Sequence, residues 1–203
     1  MEFLVTMTTR VPDGTPAHDV DDVRAREAMH TRDLAAEGRV LRLWRPPLGP
    51  GEWRTIGLFD ADDPEALERT LASMPLRIWR TDEVTVLRAH PNDPGRGAVP
   101  SAPGSTEYLV TFIIDVPRGT SAADRDEMDV REAARAGQLA AQGRLVRLWV
   151  PAPDRTLGLW QATGAGEMDD ILQSLPLADW LTVETVALSP HPNDPAVTTA
   201  ATA

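Results

Sequence analysis

The chain has 203 residues, a formal net charge of −11 and no cysteine. Its length allows one large domain or two small ones of about 100 residues each; the acid excess argues against binding nucleic acid or an anionic membrane, and the missing cysteines exclude a disulfide framework. All 20 basic residues are arginine, which rules out Schiff-base chemistry on a lysine, and four histidines without cysteine leave little for a soft-metal site.

In chain order, residues 2–9 read as a strand, Val11 to Thr15 as a turn, and residues 17–37 follow a helical period. Two strands, 39–45 and 53–60, flank the loop Pro46–Gly51, stiffened by Pro46, Pro47 and Pro50. A second helix is expected over 64–74, with Asp62 or Asp63 as N-cap, Pro64 at its first position and Glu65 in its first turn. Residues 82–89 close the series as a strand.

The series then recurs. Residues 34–44, LAAEGRVLRLW, match residues 139–149, LAAQGRLVRLW, 105 positions on, and each copy ends on His-Pro-Asn-Asp-Pro, at His90–Pro94 and His191–Pro195. Past Trp44 the second copy loses four residues, so Thr55 pairs with Thr156. The expected organisation is a first domain over 1–94, a linker over 95–105, a second domain over 106–195 and a flexible tail over 196–203. The order β-α-β-β-α-β predicts an α+β fold of two tandem ferredoxin-like domains, which cover their bare sheet faces by pairing as an intramolecular dimeric α+β barrel.

Within the first helix Val23, Glu27 and Leu34 share one face, and Met128, Glu132 and Leu139 repeat the spacing. A carboxylate between core positions is either a perturbed functional acid or half of an ion pair with Arg42 or Arg147, the arginines of the two apolar strands. Those arginines suit a substrate carboxylate equally well, as does Arg45, which Val150 replaces in copy two. His30 follows Glu27 by one turn but becomes Arg135. Trp44, Trp149, Trp79 and Trp180 read as core or as flat walls for a planar ligand. His90 and His191, each before a proline, read as turn or capping residues.

Each copy resembles muconolactone Δ-isomerase. The ordered features are the EFLVTM start with its Val-Pro, the Glu27 helix ending Glu37-Gly38, Leu43-Trp44-Arg45, Met74-Pro75-Leu76, Glu83-Val84 and His90-Pro91. Copy two shows the series less fully, through Glu132, Gly143, Leu148-Trp149, Leu175-Pro176-Leu177, Glu184 and His191-Pro192. The resemblance implies a dimeric α+β barrel assembling into a homo-oligomer, and a proton shift along an unsaturated lactone without cofactor or metal. It implies Glu27 and Glu132 as the base; His30, by its place one turn from Glu27, is a further catalytic candidate. Arg42, Arg45, Arg147 and the four tryptophans Trp44, Trp149, Trp79 and Trp180 would then hold the substrate. The family pattern has a Lys after the helix glutamate and a His at the strand arginine; here Ala28, Ala133, Arg42 and Arg147 stand there. The expectation is therefore an isomerase or cyclase of an unsaturated lactone or polyketide-like small molecule. A cofactor-free oxygenase of a phenol and a non-catalytic binding protein are the alternatives. No membrane span or signal peptide is read, and the expected location is cytoplasmic.

Overall fold

A computed structural model describes residues 1–100 and 102–200 of the chain. The chain forms two compact units, Met1–Leu87 with the segment from Ser189 onward, and Arg88–Leu188. The repeat predicts boundaries at 94 and 106. The compact units group the chain differently from the repeat, taking the closing His-Pro-Asn-Asp-Pro of each copy into the unit that holds most of the other copy.

In the first unit β1 (Glu2–Thr9) lies between β3 (Arg54–Asp60) and β4 (Arg80–Ala89), and β2 (Val40–Arg45) pairs with the far side of β3, all antiparallel. Strict alternation buries Phe3, Val5, Met7 and Thr9 on one face. Onto the apolar members of that face pack Leu34 of α1 (Ala17–Ala36) and Leu67 and Leu71 of α2 (Pro64–Ser73). Asp63 caps α2 by accepting the Ala66 N–H, with Pro64 at the first helical position. A 3₁₀ turn, Pro75–Trp79, leads into β4, which begins two residues before the expected 82.

The second unit repeats the plan. Here β5 (Thr106–Ile114) lies between β7 (Arg155–Ala162) and β8 (Leu181–Pro190), with β6 (Leu145–Ala152) beyond β7. Its helices are α3 (Ala122–Ala141) and α4 (Ala165–Gln173), and Val110, Phe112, Leu139, Trp160 and Met168 share its core. The four missing residues come out of the β6–β7 hairpin, where Ala152 faces Arg155 across Pro153-Asp154. Gln161, fully buried, holds the segment before β5 by donating to the Pro100 carbonyl and accepting the Ala102 N–H. Ser101 of that expected linker lies outside the described residues. The expected loose tail begins as a short helix, α5 (Pro195–Ala200), and residues 201–203 lie outside the described part.

The repeated Leu-Ala-Ala-x-Gly is a helix stop. Gly38 and Gly143 take φ of 73° and 72°, a region open to glycine at no steric cost. Gly38 N–H donates to Ala35 O and Arg39 N–H to Leu34 O, and Gly143 and Arg144 do the same to Ala140 and Leu139. This 5→2 and 6→1 pairing is the Schellman motif, and it turns each long helix directly into β2 or β6.

Those strands hold the closing segments. Arg42 Nε and Nη2 donate to Asp194 at 3.2 and 3.1 Å, and the Leu43 N–H donates to the same carboxylate at 3.2 Å. In the second unit Arg147 Nε and Nη2 reach Asp93 at 3.1 and 3.0 Å, and the Leu148 N–H reaches it at 2.8 Å. Each guanidinium also lies over the tryptophan two residues on, 4.8 Å from the Trp44 ring centre and 4.9 Å from that of Trp149. Breaking one side of a buried, hydrogen-bonded pair leaves a charge that nothing compensates. Arg147→Ala is therefore expected to cost about 3–5 kcal/mol in urea unfolding. The double variant with Asp93→Ala should cost clearly less than the two single losses summed, and strict additivity would contradict the clamp.

Candidate functional site

Each unit has a cavity against its long helix. The first unit's cavity, about 320 Å³, is walled by Glu27 and Arg24 of α1, Arg45 of β2, Trp53, Arg80 of β4 and His191 of the closing segment. The second, about 390 Å³, is walled by Glu132 of α3, Phe112, Trp160 of β7, Leu181 and His90.

Glu27 is 8% exposed and faces inward with Val23, Thr31 and Leu34. Its Oε2 accepts the Leu76 N–H at 2.8 Å, and its Oε1 lies 3.4 Å from Arg80 Nη1. Burial raises its pKa above the ordinary 4.5, against the lowering pull of the Leu76 N–H, Arg80 and His30. Arg80 does not cancel the burial because its charge is shared. Its Nε lies 2.6 Å from Asp82, which also pairs with Arg77 at 2.7 Å, and the Asp82 charge itself pushes Glu27 upward. The result is a carboxylate held in place but made more basic than one in water.

His191 Nδ1 accepts the Asn193 N–H at 3.1 Å, which leaves the proton of the neutral ring on Nε2. Burial first, then the charges of Arg45 and Arg24, lower its pKa from 6.5 to about 4, so the ring is neutral at pH 7. It is a hydrogen-bond donor without charge on the wall that carries Glu27.

In the second unit Glu132 Oε2 accepts the Leu177 N–H at 3.1 Å. Burial raises its pKa, opposed by that N–H and reinforced by Asp129. His90 repeats the arrangement of His191, with Nδ1 accepting the Asn92 N–H at 3.0 Å and a pKa lowered by burial.

The structure therefore brings Glu27 with Arg45, and Glu132 separately, to cavity walls. It does not bring the strand arginines there: Arg42 and Arg147 engage Asp194 and Asp93 and line neither cavity, nor do they pair with the glutamates. His30 Nε2 sits 2.8 Å from Ser73 Oγ, tying α1 to the end of α2, and its counterpart Arg135 makes the same tie to Ser174. Trp44 and Trp149 are buried beneath the arginines, and Trp79 and Trp180 sit half-buried away from both cavities. The tryptophans at the walls are Trp53 and Trp160.

Sequence reasoning missed Arg24, Arg80 and the wall positions of His90 and His191. Arg80 sat just before the expected start of its strand, and its replacement by Leu181 in copy two was the available signal. The histidines do serve turns, through Nδ1, and the exchange of closing segments carries them to the walls as well. Among the described residues no group of three or more His, Cys, Asp or Glu could hold a metal, and no helix is long and apolar enough to cross a membrane.

The His191 ring should titrate near pH 4 by NMR. Because its folded value lies below 6.5, the stability it contributes is present above pH 6.5 and is lost as pH falls towards 4. A midpoint at or above 6.5 would contradict the burial and the two neighbouring cations.

Compared with known proteins, residues 1–93 and 106–194 both match the family described as muconolactone delta-isomerase. The chain is 33% identical over 92 residues to muconolactone Delta-isomerase from Cupriavidus pinatubonensis, an alignment covering 45% of this chain and 97% of that one. It is 32% identical over 92 residues to muconolactone Delta-isomerase 1 from Acinetobacter lwoffii, covering 45% and 93%. A heme-binding protein from Thermus thermophilus superposes with a TM-score of 0.58 over 100% of this chain and 96% of that one; at 13% identity this shows the fold alone.

Proposed function

Since the chain belongs to the muconolactone delta-isomerase family, we propose that it is a proton-shifting isomerase whose working cavity is that of the first unit. Its substrate class is a small unsaturated lactone bearing a carboxylate. One observation carries the reading: a buried Glu27, made more basic by burial, shares its cavity with Arg24, Arg45 and a neutral His191.

Each step has a group. The substrate carboxylate is drawn to Arg24 and Arg45, the two cations of that wall outside the Arg80–Asp82 pair. The Glu27 carboxylate removes a proton from the ring carbon beside the double bond, and the electron pair left behind spreads as a dienolate onto the lactone carbonyl oxygen. His191 Nε2–H donates to that oxygen, costing no charge in the ground state. Protonated Glu27 then returns the same proton two carbons away, and the double bond has moved with no net change in atoms or electrons.

Burial makes Glu27 a better base, while the Leu76 N–H and Arg80 fix its direction and pull its pKa back down. Glu132 lacks such a cation, and its cavity offers no arginine at the positions of Arg24, Arg45 or Arg80.

With muconolactone as the probe substrate, Glu27→Gln should lower kcat about 10²–10⁴-fold, the range of a lost general base. Glu132→Gln should leave turnover of the same substrate within a few-fold of the parent. Full activity in Glu27→Gln, or no turnover by the parent chain, would overturn the reading.

The pH profile supplies a second check. The acidic limb of kcat/KM should fall above the ordinary carboxylate range, and Arg80→Leu should move it to still higher pH. Leucine already occupies this position in the second unit, as Leu181. An unmoved limb would show that Arg80 does not set the charge of the base.

A further inference from the structure

The two cavities descend from one repeat but have opposite wall chemistry. In the first, three arginines (Arg24, Arg45, Arg80) face two acids (Asp21, Glu27). In the second, one arginine (Arg155) faces three acids (Asp129, Glu132, Asp154). Position by position, Arg24 becomes Asp129, Arg45 becomes Val150 and Arg80 becomes Leu181. Asp82 and Arg77, which complete the first unit's ion network, become Val183 and Ala178. The polar wall residues Thr9 and Thr31 become Ile114 and Ala136, and Met7 becomes Phe112.

One polar feature is gained. Phe59 of the first copy is Trp160 in the second, 2% exposed and part of the cavity wall. Its indole Nε1–H is buried and has no hydrogen-bond partner among the described residues. The ring lies where it does because residue 158 is glycine; a Cβ there would collide with that nitrogen. A buried donor left unpaired costs about 1–3 kcal/mol, which an acceptor brought by a ligand recovers. The same wall disfavours a carboxylate, since Asp129, Glu132 and Asp154 outnumber its single arginine, Arg155.

We propose that the second cavity is a separate binding site for an uncharged cyclic carbonyl compound, an unsaturated lactone or enone without a free carboxylate. Its ring packs against Phe112, Trp160 and Leu177, its oxygen accepts from Trp160 Nε1, and Glu132 supplies the remaining polar contact. The choice of ring rests on the isomerase reading above, but the site is tested by binding alone, so failure of turnover in the first cavity leaves this test standing.

The probes are muconolactone and its methyl ester, which differ in one charge. The full-length chain is titrated with each while the indole N–H resonances are followed by NMR, with Trp160→Phe assigning the Trp160 signal. The expected result is a saturable shift of that signal with the ester and none with the acid at equal concentration. The shift should persist in Arg45→Val, which alters only the other cavity, and Trp160→Phe should weaken ester binding about five-fold, the worth of one ordinary hydrogen bond. An acid that shifts the Trp160 signal as strongly as the ester would overturn the proposal, as would an ester that leaves it in place.

Discussion

The fold's ends are fixed by one interaction made twice, an aspartate carboxylate taken between an arginine fork and the next backbone N–H. Asp194 on Arg42 and Leu43, and Asp93 on Arg147 and Leu148, are both nearly removed from water. A carboxylate so placed is tolerable only because its lone pairs are filled by charge-assisted donors. The consequence reaches the sites. Fastening the aspartate fixes the short turn before it, and with it the histidine whose Nδ1 accepts a backbone N–H within that turn. The histidine backbones are tied to the same strands, His191 N–H donating to Leu43 O and His90 N–H to Leu148 O, so clamp and strand together set each ring on its cavity wall.

Charge then separates the two cavities. In the first unit a continuous set of ions, the buried Glu27, Arg80 and Asp82 with the half-buried Arg77, fixes the glutamate and moderates its basicity. In the second unit Ala178, Leu181 and Val183 replace the three partners, leaving Glu132 with a backbone N–H alone. Removing one member would strand a charge, whereas removing the network together and filling the space with apolar groups is close to neutral for stability. That explains how one copy can shed three ionic positions while keeping the strand order and the glutamate. On the proposed reading, duplication lets one half hold the chemistry while the other changes its ligand.

Much of this was legible in the sequence because it depends on local pattern. The order of elements, the Gly38 and Gly143 stops and the glutamate on the buried helix face all follow from periodicity and turn chemistry. The partners of the charged groups were not legible. Arg42 reads as an arginine looking for an anion, and Glu27 is the nearest candidate in its own copy. The actual anion, Asp194, is 152 residues away, in the closing segment of the other copy. Arg80 was hidden by a strand start misplaced by two residues, because the 3₁₀ turn Pro75–Trp79 has no strong period of its own. Trp53 and Trp160 carry no mark in the sequence that separates them from the four buried or distant tryptophans; only the direction of their side chains in the fold does.

We propose that wall charge assigns the carboxylated lactone to the first cavity. The decisive measurement is a crystal structure of the chain with an unreactive, saturated analogue that keeps the carboxylate. The expected complex has the carboxylate between Arg24 and Arg45, the ring beside Glu27 and the carbonyl oxygen within hydrogen-bond reach of His191 Nε2. A carboxylate bound in the second cavity, or at Arg42 or Arg147 in place of their aspartates, would contradict it.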